Sequence, residues 1–100
     1  MQTPARSFTA QDVFSALGYA DPMLAARQQA RMLLLGRLAH YETETQTLQA
    51  KWHCTLDEMR ARYEAVGAED FEADDDYQQW QWFADAITTV QAQLNAVSET

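Results

Sequence analysis

The C-terminal quarter of the chain carries apolar residues at regular helical spacing. Six of them follow one another at intervals of 3, 4, 3, 4 and 3 residues: Trp80, Phe83, Ile87, Val90, Leu94 and Val97. This spacing places them on one narrow face of a helix, which is typical of a helix that packs against another helix. Asp74, Asp75 and Asp76 precede the pattern, where the unpaired N–H groups of a helix start favour negative charge. The pattern predicts a helix over residues 75–97.

A second apolar stripe predicts a long helix over residues 22–52. Its members recur at intervals of 4, 3, 4, 3 and 4 residues: Leu34, Leu38, Tyr41, Thr45, Leu48 and Trp52. Asp21 is a favourable N-cap and Pro22 a favourable first helical residue. Gly36 costs about 1 kcal/mol relative to Ala in a helix interior, which does not end the pattern. A continuous helix here would be roughly 45 Å long and would be the central element.

Two short helices are predicted from capping signals. Thr9 with Asp12 starts a helix over residues 10–17, which Gly18 ends, with Tyr19 placed to contact Phe14. This helix is too short to be stable alone in water, so its apolar side chains must dock on the rest of the chain.

The second short helix is predicted over residues 56–66. Thr55 and Glu58 form a capping box, and Cys54 and Met59 occupy the two positions of a hydrophobic staple. Gly67 ends this helix, and an acidic connection with Phe71 as its apolar anchor leads to the last one.

The four segments predict an all-α fold, a small bundle of four helices at about 10–17, 22–52, 56–66 and 75–97. Residues 1–100 form a single domain with residues 1–7 as a loose arm, and no segment alternates with the period of a strand. Short connections favour antiparallel neighbours. We expect the third helix to fold back along the second, the fourth to fill the groove between them, and the first to cover remaining apolar surface.

The net charge of −8 is unevenly spread along the chain. Residues 1–41 carry four Arg and two Asp, whereas residues 42–100 carry three basic and thirteen acidic side chains. This balance argues against nucleic acid or an anionic membrane as partner. A single cysteine excludes an intramolecular disulfide, and the N-terminus has no apolar signal-peptide core, so a cytoplasmic protein is expected.

Six carboxylates crowd the eight positions from residue 69 to residue 76: Glu69, Asp70, Glu72, Asp74, Asp75 and Asp76. A calcium-binding loop is disfavoured, because Asp75 stands where the loop needs Gly and Gln81 where it needs Glu. Two interpretations remain. The segment is either a solvated helix start or a docking surface for a basic partner, and in both the carboxylates repel one another in the free protein.

Large aromatic side chains flank this segment. Trp82 points roughly 110° away from the centre of the last apolar stripe, and Tyr77 lies about as far round on the other side. Either neighbouring helices cover them or they anchor another chain, because aromatic residues are enriched at interface hot spots. The candidate partner-binding residues are Asp70, Phe71, Glu72, Asp75, Asp76, Tyr77 and Trp82.

The long helix carries a belt of four large apolar residues, Met32 to Leu35, which cover more than one face. Leu34 belongs to the apolar stripe. Met32, Leu33 and Leu35 are therefore the candidates for self-association, which would make the chain a homodimer or larger assembly.

Candidate catalytic chemistry is sparse. His40, His53 and Cys54 match no zinc-binding spacing, and no nucleophile–base arrangement or phosphate-binding loop is evident. We expect Arg27, Arg31 and Arg37 to form internal ion pairs. The sequence predicts no enzyme, no metal and no cofactor.

Glu69-Asp70-Phe71-Glu72, Asp75-Asp76-Tyr77 and Trp80-Gln81-Trp82, after a helix beginning Thr55-Leu56-Asp57-Glu58, resemble a group of small acidic bacterial proteins of the antitoxin-like kind, encoded beside toxin-like genes. The resemblance covers residues 50–97. It implies a helical protein that binds and masks a partner without performing chemistry. The chain departs from such proteins that also bind DNA, because it lacks a basic recognition helix.

The leading hypothesis is a non-catalytic protein–protein interaction module that uses its acidic segment and flanking aromatics to bind a basic partner. The alternative is a structural protein that self-associates through residues 32–35.

Overall fold

The structure is a computed structural model that describes residues 7–18, 21–66 and 70–99. It contains four helices: α1 (Ala10–Ala16), α2 (Pro22–Trp52), α3 (Leu56–Val66) and α4 (Phe71–Glu99). The described residues include no strand. The all-α fold of four helices, with α2 the longest, is therefore confirmed. Most of the predicted N-terminal arm, Gly67, and the contact expected from Tyr19 lie outside the described residues.

The capping box at the start of α1 is present as predicted. The Asp12 amide donates to Thr9 Oγ1 at 3.1 Å, and the Thr9 amide donates to Asp12 Oδ2 at 3.0 Å. Gly18 adopts a φ of 91°, the left-handed conformation that glycine accepts without strain at a helix end. α1 packs on α2 and Phe14 is half-buried, whereas Val13 and Leu17 stay exposed, so the docking expected of its apolar side chains is met in part.

α2 runs without a break from Pro22 to Trp52. Asp21 accepts a hydrogen bond from the Met23 amide at 3.0 Å and so caps the first turn. Gly36 is accommodated in the middle of the helix, since one glycine costs too little to end a helix that packs along its length. His53, with φ 54° and ψ 37°, ends it in a left-handed conformation.

The turn into α3 is built as the sequence predicts. The Glu58 amide donates to Thr55 Oγ1 at 3.2 Å, and the Thr55 amide donates to Glu58 Oε1 at 3.4 Å. Cys54 and Met59, the two staple residues, are both buried in the same apolar cluster. Packing explains the cysteine.

α4 begins at Phe71, four residues before the predicted start at 75. The reason is the cap. Asp70 Oδ1 accepts hydrogen bonds from the amides of Glu72, at 3.1 Å, and Ala73, at 3.3 Å. Asp70 therefore satisfies the first free N–H groups, and Asp74, Asp75 and Asp76 lie inside the helix.

α2 and α4 form an antiparallel pair, and both apolar stripes lie at their contact. Trp52, at the end of α2, donates a hydrogen bond to Asp76 near the start of α4. Tyr41, earlier in α2, contacts Phe83, later in α4, with ring centroids 6.0 Å apart. Every residue of the two predicted stripes is buried or half-buried. The stripes thus predict the main helix–helix contact correctly.

The best-packed region lies where α3 joins this pair. Its buried residues come from all three helices and the turn between α2 and α3: Leu48, Cys54, Met59, Tyr77 and Trp80. α3 packs mainly on α4 rather than along α2, so the expected groove between α2 and α3 does not form. α3 therefore covers one flank of α4 and leaves the other open.

The molecule is a rod. It measures 81 × 32 × 18 Å, and its radius of gyration is 22.1 Å, against about 13 Å for a compact 100-residue domain. Between α1 and the α3 end, α2 and α4 are the only described helices that face each other, and two helices cannot enclose a core. Much apolar surface on the long pair therefore stays exposed.

Candidate protein-binding surface

Asp76 holds the two long helices together. Its Oδ2 accepts a hydrogen bond from the Trp52 indole N–H at 2.9 Å and lies 2.7 Å from Lys51 Nζ. The Asp76 side chain is only 15% exposed. Asp76 is therefore a structural residue, and its prediction as a partner-binding residue does not agree with its position.

The electrostatics agree with this role. Burial raises the pKa of the Asp76 carboxyl, but the hydrogen bonds from Lys51 and Trp52 outweigh burial, and the pKa lies below its ordinary value. The hydrogen bonds that Lys51 makes to Asp76 and Glu72 raise the pKa of the Lys51 ammonium group. Both groups stay charged at neutral pH.

Some of the other carboxylates of the acidic segment form hydrogen bonds or ion pairs within the chain, whereas Asp75 is simply exposed to solvent. Glu72 pairs with Lys51 at 2.8 Å, yet its side chain remains mostly exposed. Asp70 caps α4, and Asp74 accepts from the Gln78 amide group at 3.2 Å. Asp75 is exposed. Asp70, Glu72 and Asp75 therefore present negative charge to solvent, although the first two also stabilise the fold.

Tyr77 is buried between α3 and α4. Its ring stacks on Tyr63 with centroids 4.8 Å apart, and its hydroxyl accepts from Arg60 Nε at 3.2 Å. Next to this pair, a hydrogen bond with Asp74 raises the pKa of the Tyr63 hydroxyl. Tyr77 thus belongs to the core, and its prediction as a partner-binding residue is not supported by its position.

Trp82 and Phe71 lie on the flank of α4 that α3 leaves open. Trp82 is 57% exposed although its ring meets the ring of Tyr41 edge-on at 5.6 Å. Phe71 is 81% exposed. The two are eleven residues apart, about three turns, so they fall on one line with Asp75 and Gln78 between them. We call these four residues the α4 outer stripe.

The three self-association candidates are all exposed, but they point in different directions. Successive residues are rotated by about 100°, so Leu33 and Leu35 lie on opposite flanks of α2 and Met32 lies on its back. Leu33 is on the same side of the α2–α4 pair as Trp82. The belt therefore does not form a single surface.

A groove runs along this side between α2 and α4. Its first depression is lined by residues that include Tyr41, Trp82, Asp85 and Ala86, and its second by residues that include Ala30, Leu33 and Val97. Arg37 and Gln93 line both depressions. The groove extends the α4 outer stripe towards the C-terminal end of α4. The sequence did not predict that Arg37 and Gln93 line a groove, because this position depends on which flanks of the two helices meet.

The basic residues of α2 do not behave as expected. In the part of the chain that the structure describes, the ion pairs involve Lys51 and Arg60, and none involves Arg27, Arg31 or Arg37. The internal ion pairs expected for these three residues are therefore not found among the described side chains. Their positive charge stays at the end of the rod opposite to α3.

The depression at the turn between α2 and α3 offers little chemistry. It is shallow and includes His53, Cys54 and Glu58, but Cys54 is buried and His53 points to solvent. Among the described residues, no group of three or more His, Cys, Asp or Glu side chains could hold a metal ion. The predictions of no enzymatic activity and no cofactor stay predictions.

Comparison of the chain with protein-family models, with curated proteins and with solved structures gave no match. The resemblance to antitoxin-like proteins therefore stays a prediction. None of the helices in the described ranges has the length and hydropathy needed to cross a membrane.

Proposed function

We propose that this chain is a non-catalytic protein–protein interaction module that binds a basic protein surface along the α4 outer stripe. The observation that carries the proposal is the exposure of Phe71 and Trp82 on one line of α4. Both stripes that the fold requires are already covered by the α2–α4 contact, so these two aromatics have no comparable structural task.

The chemistry of the stripe defines the partner. Exposed aromatic side chains bury large apolar areas at little cost in conformational entropy, and they are enriched at interface hot spots. Asp75 within the stripe and Asp70 and Glu72 beside it carry exposed carboxylates. Such a surface attracts a partner of opposite charge and increases its association rate, most strongly at low salt.

The resemblance to antitoxin-like proteins adds one specific expectation. A basic toxin-like protein would be masked by the stripe, and the chain would act by occupying that protein's surface. The proposal itself depends only on the exposed aromatics and carboxylates.

Photo-crosslinking from the stripe tests the proposal. A photoreactive phenylalanine at position 71 or 82 should give adducts with a basic protein segment in cells that produce the chain. The matched control is position 91, because Gln91 is exposed on the opposite flank of α4. Adducts of equal yield at all three positions, or none at 71 and 82, would overturn the proposal.

A further inference from the structure

The chain exposes more surface than a compact protein of the same mass. The accessible surface is 7592 Å², whereas a compact monomer of 11.4 kDa exposes about 5,800 Å². The excess of roughly 1,800 Å² is about twice the 800 Å² that each partner buries in an interface of standard size. No side chain among the described residues is completely buried. A second element packed along the rod would supply the missing core.

The charges of the rod identify that element. The basic half, residues 22–41 and 86–98, carries three Arg and no carboxylate. The acidic half, residues 42–66 and 70–85, carries eleven carboxylates and three Lys or Arg, a net charge of −8. The two halves lie at opposite ends because α2 and α4 are antiparallel. The two halves therefore carry opposite net charge. Arg37 lines the groove, whereas Arg27 and Arg31 line another depression on the rod.

The apolar groups follow the same division. On the groove side, Trp82 belongs to the acidic half and Leu33, 56% exposed, to the basic half. Trp82 contacts Tyr41, and Leu33 lies eight residues before Tyr41, about 12 Å along α2. Arg37 is midway between them. A two-fold axis near Arg37 would place Trp82 of one chain beside Leu33 of the other.

We propose that a second copy of this chain occupies the groove, in an antiparallel two-fold dimer that pairs the acidic half of one rod with the basic half of the other. The inference rests on the proposed function: the basic protein surface that this function requires is the basic half of the second copy. The interface is isologous, so each contact occurs twice. Residues near the axis would face their own copies, and because Arg37 and Asp85 line the same depression, Arg37 of each chain would approach Asp85 of the other. The dimer is a bundle of four long helices, which encloses the core that one rod lacks.

Sedimentation equilibrium over a concentration series tests the dimer. The wild-type chain is expected to dimerise at micromolar concentration, and added salt should weaken the dimer because exposed charges are screened. Leu33→Glu should raise the dissociation constant at least tenfold, since it buries a charge. Leu35→Glu is the matched control: Leu35 is exposed on the other flank of α2, and its variant should remain dimeric.

A charge exchange tests the interface without changing apolar surface. Arg37→Glu and Asp85→Arg should each weaken the dimer, and the double variant should recover most of the lost affinity. Circular dichroism on every variant ensures that loss of the dimer is not loss of the fold. If Leu33→Glu unfolds, the charge exchange still decides, and failure of the double variant to recover would overturn the proposed contact.

Spin labels at Thr88→Cys and Ser98→Cys test the orientation, because both positions are exposed outside the groove. In an antiparallel dimer the two labels at 98 should be separated along the rod by about 30 Å more than the two at 88. Equal separations would show a parallel dimer and overturn the inference.

A monomer that crosslinks from position 82 to a different protein would overturn the inference and leave the proposed function intact. A monomer without crosslinks would overturn both.

Discussion

Replacing Asp76 by Asn should destabilise the protein, whereas the same replacement at Asp75 should not. Asp76 accepts a charge-assisted hydrogen bond from Trp52 and pairs with Lys51 in a half-buried site, at 2.9 and 2.7 Å. A hydrogen bond to a charged group contributes about 1.5–3 kcal/mol net, and the cost of partial burial reduces this. The Asn side-chain oxygen can still accept from Trp52. We therefore expect a loss of about 1–2 kcal/mol.

Thermal and urea unfolding followed by circular dichroism at pH 7 measure this loss. One kcal/mol corresponds to about 4–8 °C in the melting temperature for a chain of this size. Asp75→Asn is the matched control: it changes the net charge equally, but Asp75 is exposed, and such changes usually stay within about 0.5 kcal/mol. Equal melting temperatures for wild type and Asp76→Asn, or an equal loss at Asp75, would refute the assigned role of Asp76.

The pH dependence gives a second readout of the same group. The folded-state pKa of Asp76 is depressed, whereas the pKa of an unfolded Asp is about 3.9. Its contribution to stability is therefore complete above that value and is lost as the pH falls through the folded pKa. The difference in unfolding free energy between wild type and Asp76→Asn should shrink below about pH 4. A difference that stays constant down to pH 3 would contradict the depressed pKa.

Three further predictions concern packing, helix propensity and binding. Leu48→Ala should lower the free energy of unfolding in urea by about 2–5 kcal/mol, because Leu48 is buried in the apolar cluster where α3 joins α2 and α4. Ile87→Ala should lower it less, because Ile87 is only half-buried. Gly36→Ala should raise the melting temperature, by up to about 1 kcal/mol in stability, since an added Cβ meets no atom within 4 Å; a decrease would mean that the glycine has a contact role. In the complex with the basic protein partner, Trp82→Ala should speed dissociation and Asp75→Lys should slow association. The reverse result would contradict the roles assigned to these two residues of the α4 outer stripe.

Local signals in the sequence were sufficient for the helices themselves. The apolar spacings of α2 and α4 identify the faces that meet, because only one face of a 3.6-residue helix can pack against a single neighbour. The capping boxes at Thr9 and Thr55 mark where α1 and α3 begin, because their hydrogen bonds join residues only three positions apart. Such interactions need no knowledge of the rest of the fold.

The start of α4 shows where local signals stop being sufficient. Asp70 and Asp74 are equally good capping residues by type, and the cluster of aspartates at 74–76 led to a predicted helix start at residue 75. In the structure Asp70 caps the helix, and the extra turn brings Glu72 to Lys51. The choice depends on a partner from α2, twenty-one residues away in the chain.

The sequence predicted that the candidate site consists of carboxylates and aromatic side chains, but not which of these residues belong to it. Asp75 and Asp76 are neighbours of identical chemistry, but a rotation of about 100° turns Asp76 towards Lys51 and Trp52 and leaves Asp75 in solvent. Tyr77 and Trp82 both lie on flanks of the α4 apolar stripe. α3 covers the flank of Tyr77, while no described helix covers that of Trp82. The sequence by itself determined the helices, their packing faces and the charge asymmetry, since these depend on residues close in the chain. Only the tertiary structure decided which carboxylates and aromatics stay exposed, because that depends on which flank of α4 receives α3.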